Sequence, residues 1–159
     1  MKKCVKKEIE KIIKKENLNC SIREFEDKVD WTRVSKYQKL SLDFIREFKD
    51  LVDWAEISEH QQLSEKFIKE FEDEVDWYCI SWSQDLSENF IKEFQDEVDW
   101  EYISEYQKLS LDFIREFKNK INWIILEKYQ KITKKDIEKL LKEKLEKTRV
   151  KNKFQLIRF

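Results

Sequence analysis

The sequence predicts an all-α fold: a short, right-stacked α-solenoid of two-helix, 23-residue repeats with N- and C-terminal capping helices. Trp31, Trp54, Trp77, Trp100 and Trp123 stand 23 residues apart, and a fixed period of this length is typical of repeat architectures. The apolar residues around each Trp recur at helical spacing. The 159 residues include no Gly and no Pro, whereas a β-type array relies on Gly at its tight corners.

Five copies of the repeat cover residues 17–131, between an N-terminal segment 1–16 and a C-terminal segment 132–159. The fourth copy reads LSENFIKEFQDEVDWEYISEYQK. The first copy departs from this pattern at Asn17 and Ser21, where Leu and Phe are expected, which indicates a partly capped end. One copy cannot bury its apolar face alone, so stacked neighbours have to share a core.

The two terminal segments predict capping helices. An amphipathic helix is expected over Lys2–Glu16, with Val5, Ile9, Ile12 and Ile13 as its apolar residues. Thr133 starts a longer helix that closes the other end, with Ile137, Leu140, Leu141 and Leu145 as its apolar residues, followed by a basic tail. Terminal elements with a polar outer face are what such an array requires.

Each copy predicts two short helices whose N-caps are side-chain oxygens that accept from free first-turn amides. The caps are Ser41, Ser64, Ser87 and Ser110 for the first helix and Asp53, Asp76 and Asp99 for the second. The second helix has only about eight residues, too short to survive alone in water. We expect Trp54, Ile57 and Gln61 to share its packed face and Trp77 to lie in the core.

Charge is unevenly distributed along the chain. Residues 1–16 carry a net charge of +4 and residues 132–159 a net charge of +6, whereas residues 17–131 hold 16 basic and 27 acidic side chains, a net charge of −11. An acidic middle favours a partner with a basic surface. It disfavours direct binding of nucleic acid, whose phosphates it repels.

Composition excludes several function classes. Without Gly there is no Gly-rich phosphate loop, dinucleotide fingerprint or EF-hand turn. The three cysteines, Cys4, Cys20 and Cys79, form no CxxC pair, which favours a reducing compartment. No apolar run reaches the roughly 18 residues that cross a membrane, and the N-terminus lacks a signal-peptide pattern. These features predict a non-enzymatic protein without cofactor or metal, in the cytoplasm of a bacterial or virus-infected host cell.

Recurring polar positions leave alternatives open. One position holds Gln38, Gln61, Gln84, Gln107 and Gln130, which predicts either an amide ladder at the helix ends or polar recognition along a groove. Arg46–Glu47 and its equivalents recur in every copy, and stacking would make a basic ladder beside an acidic one. Recent duplication is the alternative explanation of these identical surface residues. His60 takes the place of Tyr37, Tyr106 and Tyr129, so we expect it to replace a half-buried ring.

Positions that differ between copies are the candidates for binding, because positions that are identical are those that packing demands. Residues one and five after the repeat Trp lie one turn apart on the same side of the second helix. Other copies have Lys or Glu where Trp82 stands, so we expect Trp82 to face solvent beside Tyr78, as in a binding hot spot. Coverage of a neighbouring helix is the alternative. The candidate partner-binding residues are Tyr78, Trp82, Tyr102, Glu59, Glu101 and Glu105.

The repeat LSxxFIxxFxxxVDWxxISxYQK resembles a tandem repeat of uncharacterised proteins from AT-rich bacteria, their phages and giant viruses. Its residues in the second copy are Phe44, Ile45, Phe48, Val52, Asp53, Trp54, Ile57, Ser58 and Gln61. The resemblance implies an α-helical array and no established activity.

Two functions follow as hypotheses. The first is a protein-interaction module that binds a basic protein surface, such as that of a nucleic-acid-binding enzyme, through its second helices. The alternative is an acidic, nucleic-acid-mimicking inhibitor of a defence nuclease, of the anti-CRISPR type.

Overall fold

The computed structural model describes residues 1–133, 135–136, 138–139 and 142. All regular secondary structure in these residues is helical, and they belong to two compact units, Met1–Val98 and Asp99–Phe159. The helices of the first unit are α1 Lys3–Lys15, α2 Phe25–Lys28, α3 Trp31–Tyr37, α4 Leu42–Glu47, α5 Trp54–His60, α6 Glu65–Glu70, α7 Trp77–Ser83 and α8 Glu88–Glu93. Those of the second unit are α9 Trp100–Tyr106, α10 Leu111–Glu116 and α11 Trp123–Gln130.

The predicted α-solenoid of two-helix repeats is confirmed. In the first unit the second helices α3, α5 and α7 pack on one another in succession, and in the second unit α9 packs against α11. Copies two to five each contribute one short helix after a Ser cap, as expected, whereas α2 of the first copy follows Glu24. All five copies contribute a second helix after an Asp or Asn cap. Ser41 Oγ accepts from the Phe44 amide at 3.2 Å, and the Asp53 carboxylate accepts from the Glu56 amide at 3.3 Å.

Aromatic packing joins the Trp of each of the first four copies to the next copy. The Trp54 ring lies 5.0 Å from the Phe71 ring and 6.4 Å from the Phe67 ring, while its indole N–H donates to the Lys49 carbonyl at 2.9 Å. The indole thereby satisfies a carbonyl in the turn after α4. Trp77 repeats these contacts with two Phe rings of the following copy. Both Trp residues are half-buried, so the expectation that Trp77 lies fully in the core is wrong.

Buried Ser and Gln side chains connect successive copies through a second set of bonds. Ser35 Oγ accepts from the Asp53 amide at 3.0 Å. Gln61 Nε2 donates to the carbonyls of Ser35 and Gln38 at 2.7 and 2.8 Å, and its Oε1 accepts from the Leu40 amide at 3.0 Å. We call this arrangement the Ser–Gln network; its equivalents include Ser58 with Gln84 and Ser104 with Gln130.

The Ser–Gln network confirms the amide ladder at the helix ends. The Ser and Gln members of the inner copies are buried, with Gln61 only 6 % exposed, and each bond satisfies a backbone group that the short helices leave without an intrahelical partner. The alternative, polar recognition along a groove, is wrong for these glutamines because their amide groups are already engaged inside the protein.

The N-terminal capping helix is confirmed as α1, which ends in a Schellman motif. Asn17 adopts a left-handed conformation with a φ of 53°, and the Leu18 amide donates to the Ile13 carbonyl at 2.9 Å. Ser21, whose amide and hydroxyl both donate to Glu24, opens the short α2. The two residues that depart from the repeat in the first copy therefore have local roles: Asn17 ends α1, and Ser21 begins the turn that leads into α2.

Glutamates of α1 replace contacts that a preceding copy would supply. Glu8 accepts from the amide and hydroxyl of Ser41 at 2.8 and 2.6 Å. In an inner copy, Glu65 has the equivalent role and accepts from the Ser87 amide. Glu16 accepts from Gln38 Nε2, so it stands in for the backbone carbonyls that an inner Gln would reach. The α1 helix thus caps both the Ser positions and the Gln ladder.

At the other end, Thr133 and Asp136 form a reciprocal cap, with the Asp136 amide 3.2 Å from Thr133 Oγ1. Bonds from the Thr133 hydroxyl and amide hold the pKa of Asp136 below its usual range. The helical residues 135–136, 138–139 and 142 follow. The expected apolar residues Ile137, Leu140, Leu141 and Leu145 and the basic tail lie outside the described residues.

Candidate protein-binding face

The second helices place their constant residues inside and their variable residues outside. In α5, Ile57 and Ser58 have no exposed surface, whereas Ala55, one residue after the Trp, is exposed. The residue one after the Trp is exposed in every copy: Thr32, Ala55, Tyr78, Glu101 and Ile124. We call this surface the second-helix face; it is formed by the residues one, two, five and six positions after the Trp, except for Cys79, which is buried.

Tyr78 and Trp82 lie one turn apart on α7, as the spacing predicts. Tyr78 is 54 % exposed. Trp82 is half-buried, so the expectation that it faces solvent is wrong. Its side chain forms a hydrogen bond with the side chain of Cys79, which lies on the same helix.

Cys79, which lies between these two residues in the sequence, is buried. Burial, which is the largest cause, and the nearby Asp76 carboxylate together raise the pKa of its thiol to about 11, while the Trp82 hydrogen bond acts in the opposite direction. The thiol is therefore protonated at neutral pH, and a protonated thiol is a poor nucleophile. Cys79 has the character of a packing residue of α7.

Glu59 lies on the neighbouring helix α5, close enough to Cys79 for its charge to contribute to the raised pKa of that thiol. Its carboxylate is 3.4 Å from His60 Nε2. The same imidazole nitrogen is 3.1 Å from Glu56, and Glu56 also pairs with Lys36 of α3 at 3.0 Å. The structure thus brings Glu59, Tyr78 and Trp82 into one region of the first unit.

The other three candidate residues lie on α9 in the second unit. Glu101 is exposed, while Tyr102 and Glu105 are half-buried. The Tyr102 ring lies 5.9 Å from the Tyr106 ring. Within this unit the candidate residues therefore form an acidic and aromatic patch on a single short helix.

Sequence reasoning missed the exposed tyrosines six residues after the Trp. Tyr37, Tyr106 and Tyr129 are 61 %, 52 % and 48 % exposed, so the expectation that His60 replaces a half-buried ring is wrong. Recurrence in three copies made this position resemble a packing position. Its place on the helix was the available signal, because residue six lies about 120° around the helix from the Trp and outside the arc of Ile57 and Gln61.

The recurring basic and acidic pairs do not form two separate ladders. Instead, the basic residue of one copy pairs with the acidic residue of the next. Arg46 binds Glu70 through two bonds of 2.7 Å while its guanidinium lies 4.9 Å from the Phe67 ring centre, and Lys69 binds Glu93. These residues strengthen the contact between copies.

In the part of the chain that the structure describes, no group of three or more His, Cys, Asp or Glu side chains could hold a metal ion. No described helix combines the length and apolar character needed to cross a membrane. A comparison with protein-family models, with curated proteins and with solved structures finds no match to this chain.

Proposed function

We propose that this chain is a non-enzymatic helical-repeat module that binds a partner protein through its second-helix face. The partner has a basic surface, since residues 17–131 carry a net charge of −11 and acidic charge speeds encounter with a basic surface. The resemblance of the repeat favours an origin in an AT-rich bacterium, phage or virus, and therefore a location in the cytoplasm of the infected or host cell. No cofactor takes part.

The observation that carries this proposal is the separation of constant and variable positions. The buried Ser recurs in the first four copies and the Gln in all five, and their polar groups are satisfied inside. The residue one after the Trp is exposed in every copy yet changes from Thr to Ala, Tyr, Glu and Ile. Tyr78, which exposes an amphipathic ring, is of the type that dominates binding hot spots.

A second candidate function is the acidic decoy, which occupies the nucleic-acid groove of a defence nuclease. An acidic groove of about 500 Å³ in the first unit favours it. The groove is lined by Glu72, Asp73, Glu93, Phe94, Asp96 and Glu97. Five carboxylates over two successive copies present a row of negative charge, as a phosphate backbone does.

Capture of partners from an extract of the native host separates the two candidates. Immobilised wild-type chain is compared with Tyr78→Ala, with Asp73→Asn/Glu97→Gln and with Leu51→Ala, a control that removes an exposed apolar side chain outside the second-helix face. A protein retained by the control and lost with Tyr78→Ala supports the interaction module. A nuclease lost with the acidic-groove variant alone supports the decoy, and equal capture by all variants contradicts both.

A further inference from the structure

A basic groove lies on the first unit between α1 and the connection from α3 to α4. Its volume is about 600 Å³, and its lining is mostly apolar. Ile12 and Leu40, which are 3 % and 8 % exposed, form part of its floor. Four lysines surround it: Lys7, Lys11, Lys15 and Lys39.

The positive charge of this groove is not neutralised within the described part of the chain. None of its four lysines takes part in an ion pair among the described residues, and all four are exposed. Glu8, the acidic residue in the lining, already accepts two bonds from Ser41. The groove therefore has the charge and the apolar floor to receive an acidic segment of protein.

An acidic surface that complements it lies on the same unit of the chain. The turns after α6 and α8 carry Glu72, Asp73, Asp96 and Glu97 on successive copies, and all four are exposed. Successive packed helices lie about 8–10 Å apart, and Lys7 and Lys15 are separated by two turns of α1, about 12 Å. Two acidic turns of one molecule thus match the length of the lysine row of another.

We propose that two copies of this chain associate head to tail, with the acidic turns of one copy in the basic groove of the next. The contact joins two different surfaces, so it is heterologous and can continue from copy to copy. It depends on charge pairs between exposed residues, so salt weakens it. The basic groove and the acidic turns exclude Tyr78, which leaves the proposed partner-binding residue accessible in the assembly.

Sedimentation velocity of the full chain tests this association. At about 20 mM salt and protein concentrations on the order of 0.1 mM, we expect wild type to form dimers and larger species, and at about 500 mM salt to be monomeric. Lys7→Gln/Lys11→Gln and Asp73→Asn/Glu97→Gln each weaken self-association at least tenfold. Lys6→Gln/Lys14→Gln removes the same charge from other positions of α1, so its self-association constant should stay within about twofold of the wild-type value.

Mixing the two neutralised variants makes the test specific. Each variant retains one of the two surfaces, so the mixture forms a 1:1 heterodimer and nothing larger. Circular dichroism verifies that both variants keep the helical signal of wild type. A wild-type chain that stays monomeric in low salt, a mixture that forms no heterodimer, or an equal loss with Lys6→Gln/Lys14→Gln would overturn the proposal.

Discussion

Gln61 and Gln62 are neighbours in the second copy, yet they have opposite environments. Gln61 is 6 % exposed and makes three hydrogen bonds to backbone groups, whereas Gln62 is exposed. Gln61→Ala leaves two buried carbonyls and one buried amide without partners, so we expect a loss of about 2–3 kcal/mol in the free energy of unfolding. Gln62→Ala changes it by less than about 0.5 kcal/mol. Urea denaturation of the two variants measures the difference, and equal losses would show that the network does not hold the copies together.

The two tryptophans of α7 differ in what they contact. Trp77 lies 4.8 Å from the Phe94 ring and donates to the Glu72 carbonyl at 3.0 Å, whereas Trp82 bonds to Cys79 on its own helix. We expect Trp77→Ala to lower the free energy of unfolding by about 3 kcal/mol. Trp82→Ala, which removes a half-buried ring, should lower it by about 1–2 kcal/mol. Thermal unfolding monitored by circular dichroism checks the order. A larger loss for Trp82→Ala would mean that its ring is the more important contact between copies.

At the residue scale, the sequence predicts chemistry that can be read from one position and its spacing. The Ser and Asp caps and the buried Ile57 belong to this class, because they depend on local helix geometry. The partial burial of Trp82 does not belong to this class, since the spacing of one helix does not show which side chains surround a residue. The Gln ladder was predictable as a row, but the carbonyls that it reaches are determined by how the copies stack.

At the scale of the helices, Asn17 shows why a departure from the repeat can be the stabilising residue. Asn17→Leu restores the residue that the repeat has elsewhere, but Leu in the left-handed conformation costs about 1–2 kcal/mol. We therefore expect this change to lower the free energy of unfolding by about 1 kcal/mol. Asn17→Gly is the matched control and is expected to have little effect or to stabilise. A stabilising Asn17→Leu would contradict the Schellman motif at the end of α1.

The Arg46–Glu70 pair joins α4 to α6 and predicts a pH-dependent contribution. The Arg46 guanidinium holds the pKa of Glu70 below its usual range. A carboxylate with a lowered pKa in the folded state contributes stability above its unfolded pKa of about 4.3, and this contribution is lost as the pH falls through the lowered value. A double-mutant cycle with Arg46→Ala and Glu70→Ala should give a coupling of about 0.5 kcal/mol at neutral pH and none at about pH 2. A coupling that persists in acid would mean that packing of Arg46 on Phe67, not charge, carries the contact.

Element boundaries followed from the sequence because each copy repeats the same cap signals. The ion pairs between copies did not, since a ladder of like residues and a diagonal of opposite residues have the same sequence pattern. Only the offset between stacked helices decides that Arg46 meets Glu70 and not Glu47. The roles of Glu8 and Glu16 could not be predicted for the same reason, because their partners, Ser41 and Gln38, are distant in sequence.

At the scale of the whole molecule, constant residues hold the copies together and variable residues remain on the surface for a partner. The clearest comparison is within copy three, where both kinds of residue lie on one short helix. Tyr78→Ala/Trp82→Glu gives this helix the residues of copy two at two variable positions. Ile80→Ala/Gln84→Ala removes the constant pair of this helix: the fully buried Ile80, whose position is apolar in every copy, and Gln84, whose position is Gln in every copy.

The free energy of unfolding of these two double variants, measured by urea denaturation, tests that division most directly. We expect Tyr78→Ala/Trp82→Glu to lose less than about 2 kcal/mol and Ile80→Ala/Gln84→Ala to lose more than about 4 kcal/mol. If the variable pair costs as much as the constant pair, Tyr78 and Trp82 are part of the packing and the second-helix face is not a surface set aside for binding.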